Sequence, residues 1–334
     1  MPNRKRSRLN LGYSNGDIAK SYIGLLCLGK KDFSEIEAFR GDPEFRASLG
    51  LERIPSPAVL EHRLDEAALS AEWRQIILDE SLHLIHQTDA FIRPVTIKGN
   101  SFIPVDIAKP FTFIGREKYC LNFEQEAGML IRAAEQLASG QFLWRMEVTE
   151  ENCKITAKLL ARQIDFIIKQ PLPDADTWVE TARKHGLCCV EREGRKVYLG
   201  SVAETITAAG AQKVVYKVFK IIETTIDKNG QILLMPNYEA ELYMTSLDIS
   251  PAAVLELYNE HLKVCKSFKR EFMSDLGFKQ LPSGNKKTNE LVLLFGVFAY
   301  NLLRFISYGN KRMKRIRDVI RELPKLSISE EYEE

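Results

Sequence analysis

The apolar positions of this chain change period along its length, and the changes divide it. From residue 13 to 90 they recur at helical steps. Ile18, Tyr22, Leu25 and Leu26 form one face, and Phe33, Ile36 and Phe39 form the next. Gly41-Asp42-Pro43 interrupts the pattern before a short segment, Phe45 to Leu49. Ile54-Pro55-Ser56-Pro57 then introduces AVLEHRLDE, and a longer helix covers residues 66–87. A serine-proline entry between short helices resembles a helix-turn-helix, and a plain helical bundle fits the same pattern equally well.

Between residues 91 and 110 the period shortens. FIRPVTIKGNSFIPVDIAKPF holds two strand-like runs around Lys98-Gly99-Asn100, and the second, Phe102 to Ile107, carries Asp106. Helical spacing returns at Leu130, Ile131, Ala134 and Leu137 and closes at Ser139-Gly140. QFLWRMEV (141–148) reads as a buried strand, Thr149 caps a helix through Leu160, and IDFIIKQ (164–170) is a further strand. Strands alternating with helices predict an α/β arrangement around a mixed or parallel sheet.

Residues 171–247 are richer in strands. Past Pro171, Pro173 and a short helix around Trp178 come CCVERE, RKVYLGSV, KVVYKVFKII and QILLMPNYEAELYMTSL. Glu193-Gly194 and the strong hairpin signal Asn229-Gly230 separate them. Ser250 and Pro251 then open a helix whose apolar face is Tyr258, Leu262, Cys265, Phe268, Phe272 and Leu276. Lys263, Lys266, Lys269 and Arg270 load its remaining surface. Pro282-Ser283-Gly284 ends it, and Thr288 can cap a second helix, apolar nearly all round from Leu291 to Tyr300. Interrupted by Asn301 and Arg304, that segment reads as a core helix too short to span a bilayer.

The expected organisation is therefore an all-α part (1–90), the first part of an α/β core (91–170), a β-rich insertion (171–247), C-terminal helices completing the core (248–326) and an acidic tail (327–334). A length of 334 residues allows one large or two ordinary domains, and the 28% charged content is that of a soluble globular protein. A net charge of +2 conceals local runs. Arg4, Lys5, Arg6 and Arg8 form one, and Lys311, Arg312, Lys314, Arg315 and Arg317 another. Each alone is a solvated tail or face; together, flanking a basic helix, they favour a polyanion partner. Arg53, His62 and Arg63 are the side chains to watch in the helix-turn-helix reading. His83 and His86 lack a third ligand and read as surface histidines. The six cysteines (27, 120, 153, 188, 189, 265) show no metal spacing, which predicts reduced, mostly buried thiols in a cytoplasmic protein. The basic start leads into no apolar signal segment, and no membrane partner is expected.

DLGFKQLPSGNKKTNELVLLFGVFAYNLLRF (275–305) resembles the C-terminal signature of DDE-type transposases of bacterial insertion sequences. In that family an acidic catalytic helix precedes a lysine, a Pro-Ser-Gly turn and an apolar helix ending in Ala-Tyr-Asn. The resemblance implies a ribonuclease-H-like core and an N-terminal DNA-binding part. It further implies DNA transposition by Mg²⁺-dependent phosphoryl transfer, with an acid on the first strand, one after the fourth and a glutamate on the late helix.

Carried over residue by residue, the first acid is Asp106, whose type also suits a strand-end turn. The second falls on Glu147, where the family reads Arg-x-Asp, and its extra carbon moves the carboxylate by about 1.5 Å. These two are the expected catalytic and metal-binding residues. The family helix reads Y-x-x-R-x-x-x-E-x-x-x-x-x-x-K. Here Tyr258 is kept, His261 stands for the arginine, and Cys265, or Lys266 with one inserted residue, stands for the glutamate. Glu260 and Glu271 lie elsewhere around the helix. Only Phe111 to Phe123 occupy the space where the family places two more strands, so that block reads as deleted.

These departures predict impaired catalysis. The expected partner is double-stranded DNA at element ends, contacted by Arg53, Arg63, Lys263, Lys269 and Arg270, with a homo-oligomer or pairing with an intact transposase as further partners. The alternative is a non-enzymatic DNA-binding or interaction protein derived from a transposase.

Overall fold

The computed structural model describes residues 12–87, 93–107, 131–132, 134–136, 140–147, 155–172, 174–208, 210–309 and 315–329. The deletion reading of 111–123, Thr149, Cys120, Cys153, the first basic run, Lys311, Arg312 and Lys314 of the second, and residues 330–334 of the acidic tail lie outside the described residues. The protein is α/β, with a helical N-terminal part, an eight-stranded mixed sheet and a helical C-terminus. It forms two compact units. One combines the helices before residue 91 with the chain from Ser267 onward; the other holds the sheet and runs to Lys266.

In the helical unit, α1 (Asn15–Cys27) starts at a reciprocal cap, the Ser14 hydroxyl accepting from the Asp17 amide while the Asp17 carboxylate accepts from the Ser14 amide. A 3₁₀ segment (Phe33–Phe39) follows, then α2 (Pro43–Ser48) and α3 (Pro57–Ala67), both opened by a capping side chain and a proline at the first turn. α4 (Trp73–His86) is held to the end of α3 by the Trp73 indole, which donates to the Ala67 carbonyl at 2.9 Å.

The chain returns to this unit late. After the π-helical turn Glu271–Asp275 come α8 (Lys286–Gly309) and α9 (Ile316–Ser329). Leu291, Val292, Phe295, Ala299 and Leu303 of α8 are buried against Tyr22, Leu25, Leu60, Trp73 and Ile77. α8 is therefore the core helix expected, yet it is longer than expected. Its span Lys286–Tyr308 has the length and apolar character to cross a membrane, with a mean hydropathy of 1.7 over its most apolar 18 residues. Its cap also differs from expectation. The Asn285 carboxamide oxygen accepts from the Lys287 amide, whereas the Thr288 hydroxyl donates to the Asp65 carboxylate.

Several residues of the 275–305 segment make structural contacts. Asn289 clasps the Pro-Ser-Gly turn, accepting from the Ser283 amide at 3.2 Å and donating to its carbonyl at 2.7 Å. The Tyr300 hydroxyl donates to Glu271 at 3.1 Å, and Asn301 donates to Ser81 at 3.3 Å. Gly296 lets Phe278 and Phe272, stacked at 4.6 Å, approach α8, since a Cβ there would lie 2.5 Å from Phe278 and 2.9 Å from Phe272. Gly296→Ala is expected to destabilise the protein by about 1–3 kcal/mol through overpacking, despite alanine's better helix propensity. Urea denaturation checks it, and a stabilised variant would mean that the ring pair yields.

The sheet unit orders its strands β1-β2-β3-β4-β8-β7-β6-β5. β1 (Val95–Ile97) and β2 (Asn100–Asp106) form an antiparallel hairpin. β2, β3 (Gln141–Glu147) and β4 (Asp165–Gln170) are parallel neighbours. The residues expected as an insertion do not form a separate sheet. β8 (Ile232–Thr245) pairs antiparallel with β4, and β7 (Ala211–Ile226), β6 (Arg195–Ala208) and β5 (Leu187–Arg192) extend the same sheet outward. The two hairpin turns fall where expected, with Gly194 and Gly230 at positive φ.

Alternate residues of the central strands bury opposite faces. α5 (Ile155–Ala161) covers Trp144, Met146, Phe166 and Ile168. α6 (Ala175–His185) covers Phe219, Ile221 and Leu242 farther out. On the other face α7 (Pro251–Arg270), capped by Ser250 as expected, lies over Leu143, Ile167, Val218 and Tyr243 through Val254 and Tyr258. The thiols depart from expectation. Cys27 is half-buried, and desolvation pushes its thiol up to about 12, but Cys188 and Cys189 are exposed on the edge strand β5.

Candidate functional site

The parallel register sets Asp106, the last residue of β2, beside Arg145 in β3, with Glu147 two positions further along the same strand. Period-two alternation sends Arg145 and Glu147 to the face that α7 covers. Arg145 is 3% exposed and forks onto Asp106, donating Nε to Oδ1 at 2.7 Å and Nη2 to Oδ2 at 2.7 Å. Its Nη1 donates to the Leu257 carbonyl of α7 at 2.9 Å. His261, one turn along α7, donates Nδ1 to the same Asp106 Oδ1 at 2.9 Å. One guanidinium thus ties β2, β3 and α7 together.

Burial alone would raise the Asp106 carboxyl, but the hydrogen bonds from His261 and Arg145, with their charges, outweigh it and hold the group below the usual carboxylate range. Cys265 follows one turn after His261, its Sγ 3.5 Å from Nδ1 and 3.7 Å from Nε2. Near-equal distances set the sulfur beside the ring rather than in line with one nitrogen. Burial, then the Asp106 charge, push this thiol up to about 11. A thiol held protonated beside a ring whose Nδ1 already serves Asp106 is a poor nucleophile.

Polar groups continue across the same face. Lys169 in β4 pairs with Glu147 in register and donates to Glu241 of β8 at 2.7 Å, while Lys220 of β7 stands 3.8 Å from Glu241. The Tyr243 and Tyr258 rings meet edge to face at 4.9 Å. Burial first, and then neighbouring carboxylates including Glu147, raise both hydroxyls well above their ordinary range.

The positions carried over from the resemblance, Asp106, Glu147 and the His261–Cys265 turn, thus lie together in one unit. The residues present do not fit Mg²⁺. Both Asp106 oxygens are taken by cationic or N–H donors, the α7 position offers sulfur, and hard cations need free oxygen ligands. Among the described residues no group of three His, Cys, Asp or Glu side chains is placed to hold a metal ion. Neither spare glutamate substitutes. Glu260 pairs with Lys263 at 2.6 Å on the surface, and Glu271 is buried against Tyr300 and Arg304 in the helical unit.

The expected DNA contacts divide. Lys263, Lys266, Lys269 and Arg270 are exposed along α7. Arg53 is exposed and stacks over the Tyr13 ring at 4.6 Å. Arg63 donates to the Tyr13 carbonyl at 2.9 Å and to Asn15, with Glu66 at 3.3 Å, and so ties α3 to the start of α1. The outer face of α3 is left with Glu61, His62 and Glu66 exposed, a poor match to phosphate, and its inner face is packed. His83 and His86 share no site, and His83 meets Gln87 at 3.2 Å.

Sequence reasoning passed over Arg145, Lys169, Glu241 and Tyr243. The available signal was an arginine inside the buried run FLWRMEV, because a charge there requires a partner on a neighbouring element. Comparison with models of known protein families and with curated proteins gave no match.

Proposed function

We propose that the chain is a DNA-binding protein of transposase descent, whose ribonuclease-H-like core keeps the placement of the ancestral acids and has lost their metal chemistry. One observation carries this reading: Asp106 and Glu147 end adjacent parallel strands under the helix that holds His261 and Cys265. That is where a two-metal nuclease of this family would gather its carboxylates. Arg145 and His261 now supply the positive charge that the acids would otherwise take from cations. DNA binding rests on the exposed cations of α7. Lys263 forms a surface pair with Glu260, which is weak enough to be exchanged for a phosphate.

Binding to duplex DNA is expected to weaken with salt, log affinity falling by roughly 0.9 per log unit of salt for each phosphate neutralised. Fluorescence anisotropy at several salt concentrations measures the slope. Lys263→Ala, Lys269→Ala and Arg270→Ala are each expected to lower it by about one. Binding that ignores salt, or no binding at low salt, would overturn the proposal.

A further inference from the structure

α5 and α6 lie on the same face of the sheet, because Met244 beneath α5 and Leu242 beneath α6 are two positions apart on β8. Beside α5 this face holds a trough of about 320 Å³. The sheet contributes Gln170, Glu204, Ile206, Lys217 and Met244 to its lining, and α5 contributes Thr156 and Ala157. Small-molecule sites run from about 300 to 1,000 Å³, so the trough suits a ligand of amino-acid size and is too small for a dinucleotide.

Two polar groups in the trough are short of partners. Thr156 is 7% exposed, and among the described residues no group hydrogen-bonds to its hydroxyl. The Gln170 carboxamide donates to the Met244 sulfur at 3.6 Å, a weak acceptor, and among the described residues its oxygen meets no donor. Beside them Lys217 and Glu204 pair at 2.6 Å, with side chains 31% and 41% exposed. A pair so open to water contributes little and is readily exchanged. A ligand of one charge would satisfy one member and strand the other. A zwitterion satisfies both, its carboxylate accepting from Lys217 and Thr156 while its ammonium donates to Glu204 and the Gln170 oxygen. An α-amino acid carries those two groups on one carbon. Met244, Ile206 and Ala157 then offer apolar surface to an aliphatic side chain.

We propose that this trough is a binding site for a free aliphatic α-amino acid. It uses none of the residues assigned to DNA, so the two readings stand or fall separately. Isothermal titration of the full chain with L-leucine, without DNA, is expected to show saturable binding with a Kd on the order of a millimolar. Isocaproate lacks the ammonium and isopentylamine lacks the carboxylate. Each is expected to bind at least about tenfold more weakly, because each forfeits charge-assisted hydrogen bonds and strands one member of the pair. Glu204→Gln and Lys217→Gln are each expected to weaken L-leucine by about tenfold with circular dichroism unchanged. Ala157 is exposed, so Ala157→Trp should fill the trough without disturbing the core and abolish binding. No saturable binding of L-leucine, analogues that bind as tightly, or variants that bind like the wild type would overturn the proposal.

Discussion

Arg145→Ala is expected to destabilise the sheet unit by about 3–5 kcal/mol, the range for removing one partner from a buried ion pair. Arg145 and Asp106 are 3% and 15% exposed, so solvent screens their interaction little. The truncation leaves the carboxylate facing His261 and removes one of the donors to the Leu257 carbonyl. Much of the loss is the cost of an orphaned charge rather than the net worth of the pair. Arg145→Met combined with Asp106→Leu should therefore recover most of it, because a packed apolar pair avoids desolvation altogether. Urea denaturation of the two single variants and the double variant separates these contributions. A loss below about 1 kcal/mol for Arg145→Ala would mean that the guanidinium is replaced by water at little cost.

Mg²⁺ is expected to support no strand cleavage by this chain, and Cys265→Glu alone is expected not to change that. Two-metal chemistry needs carboxylates converging on cations about 3.5–4 Å apart. Restoring an acid to α7 adds one ligand but leaves both Asp106 oxygens bound to Arg145 and His261. The assay uses a supercoiled plasmid carrying the DNA that flanks the gene, with Mg²⁺ and then Mn²⁺. Cleavage by the wild type that disappears in Asp106→Ala and Glu147→Ala would show that the acids act as ligands.

What could be read from sequence was the part written in local period. The apolar runs FLWRMEV and IDFIIKQ mark β3 and β4, and the helical spacing from Tyr258 to Phe268 falls within α7, while Phe272 and Leu276 lie beyond its end in the helical unit. Ser250-Pro251 and Asn229-Gly230 mark boundaries because cap and turn chemistry act within a few residues. Partner choice was not local. Nothing in residues 171–247 states that β8 pairs with β4 and so joins the insertion to the core sheet. Arg63 read as a surface cation because its partners, Tyr13 and Asn15, are distant in sequence. In the candidate site the resemblance pointed to Asp106, Glu147 and Cys265, whereas the pairing seen there depends on Arg145 and His261 meeting one carboxylate across three elements, which no local pattern states.

The late return of the chain to the helical unit sets an order on its making. Tyr22, Leu25 and Trp73 emerge early from the ribosome, yet the α8 residues that cover them, Phe295 among them, come more than two hundred positions later. At about 5–20 residues per second, that is a wait of roughly ten seconds or more with an apolar surface uncovered. The sheet unit, contained between residues 92 and 266, can close during that interval. The nascent chain is thus a folded sheet trailing from an unfinished bundle, a form that chaperones would hold. A copy of the gene truncated before residue 286 would keep a foldable sheet and leave the N-terminal helices permanently sticky.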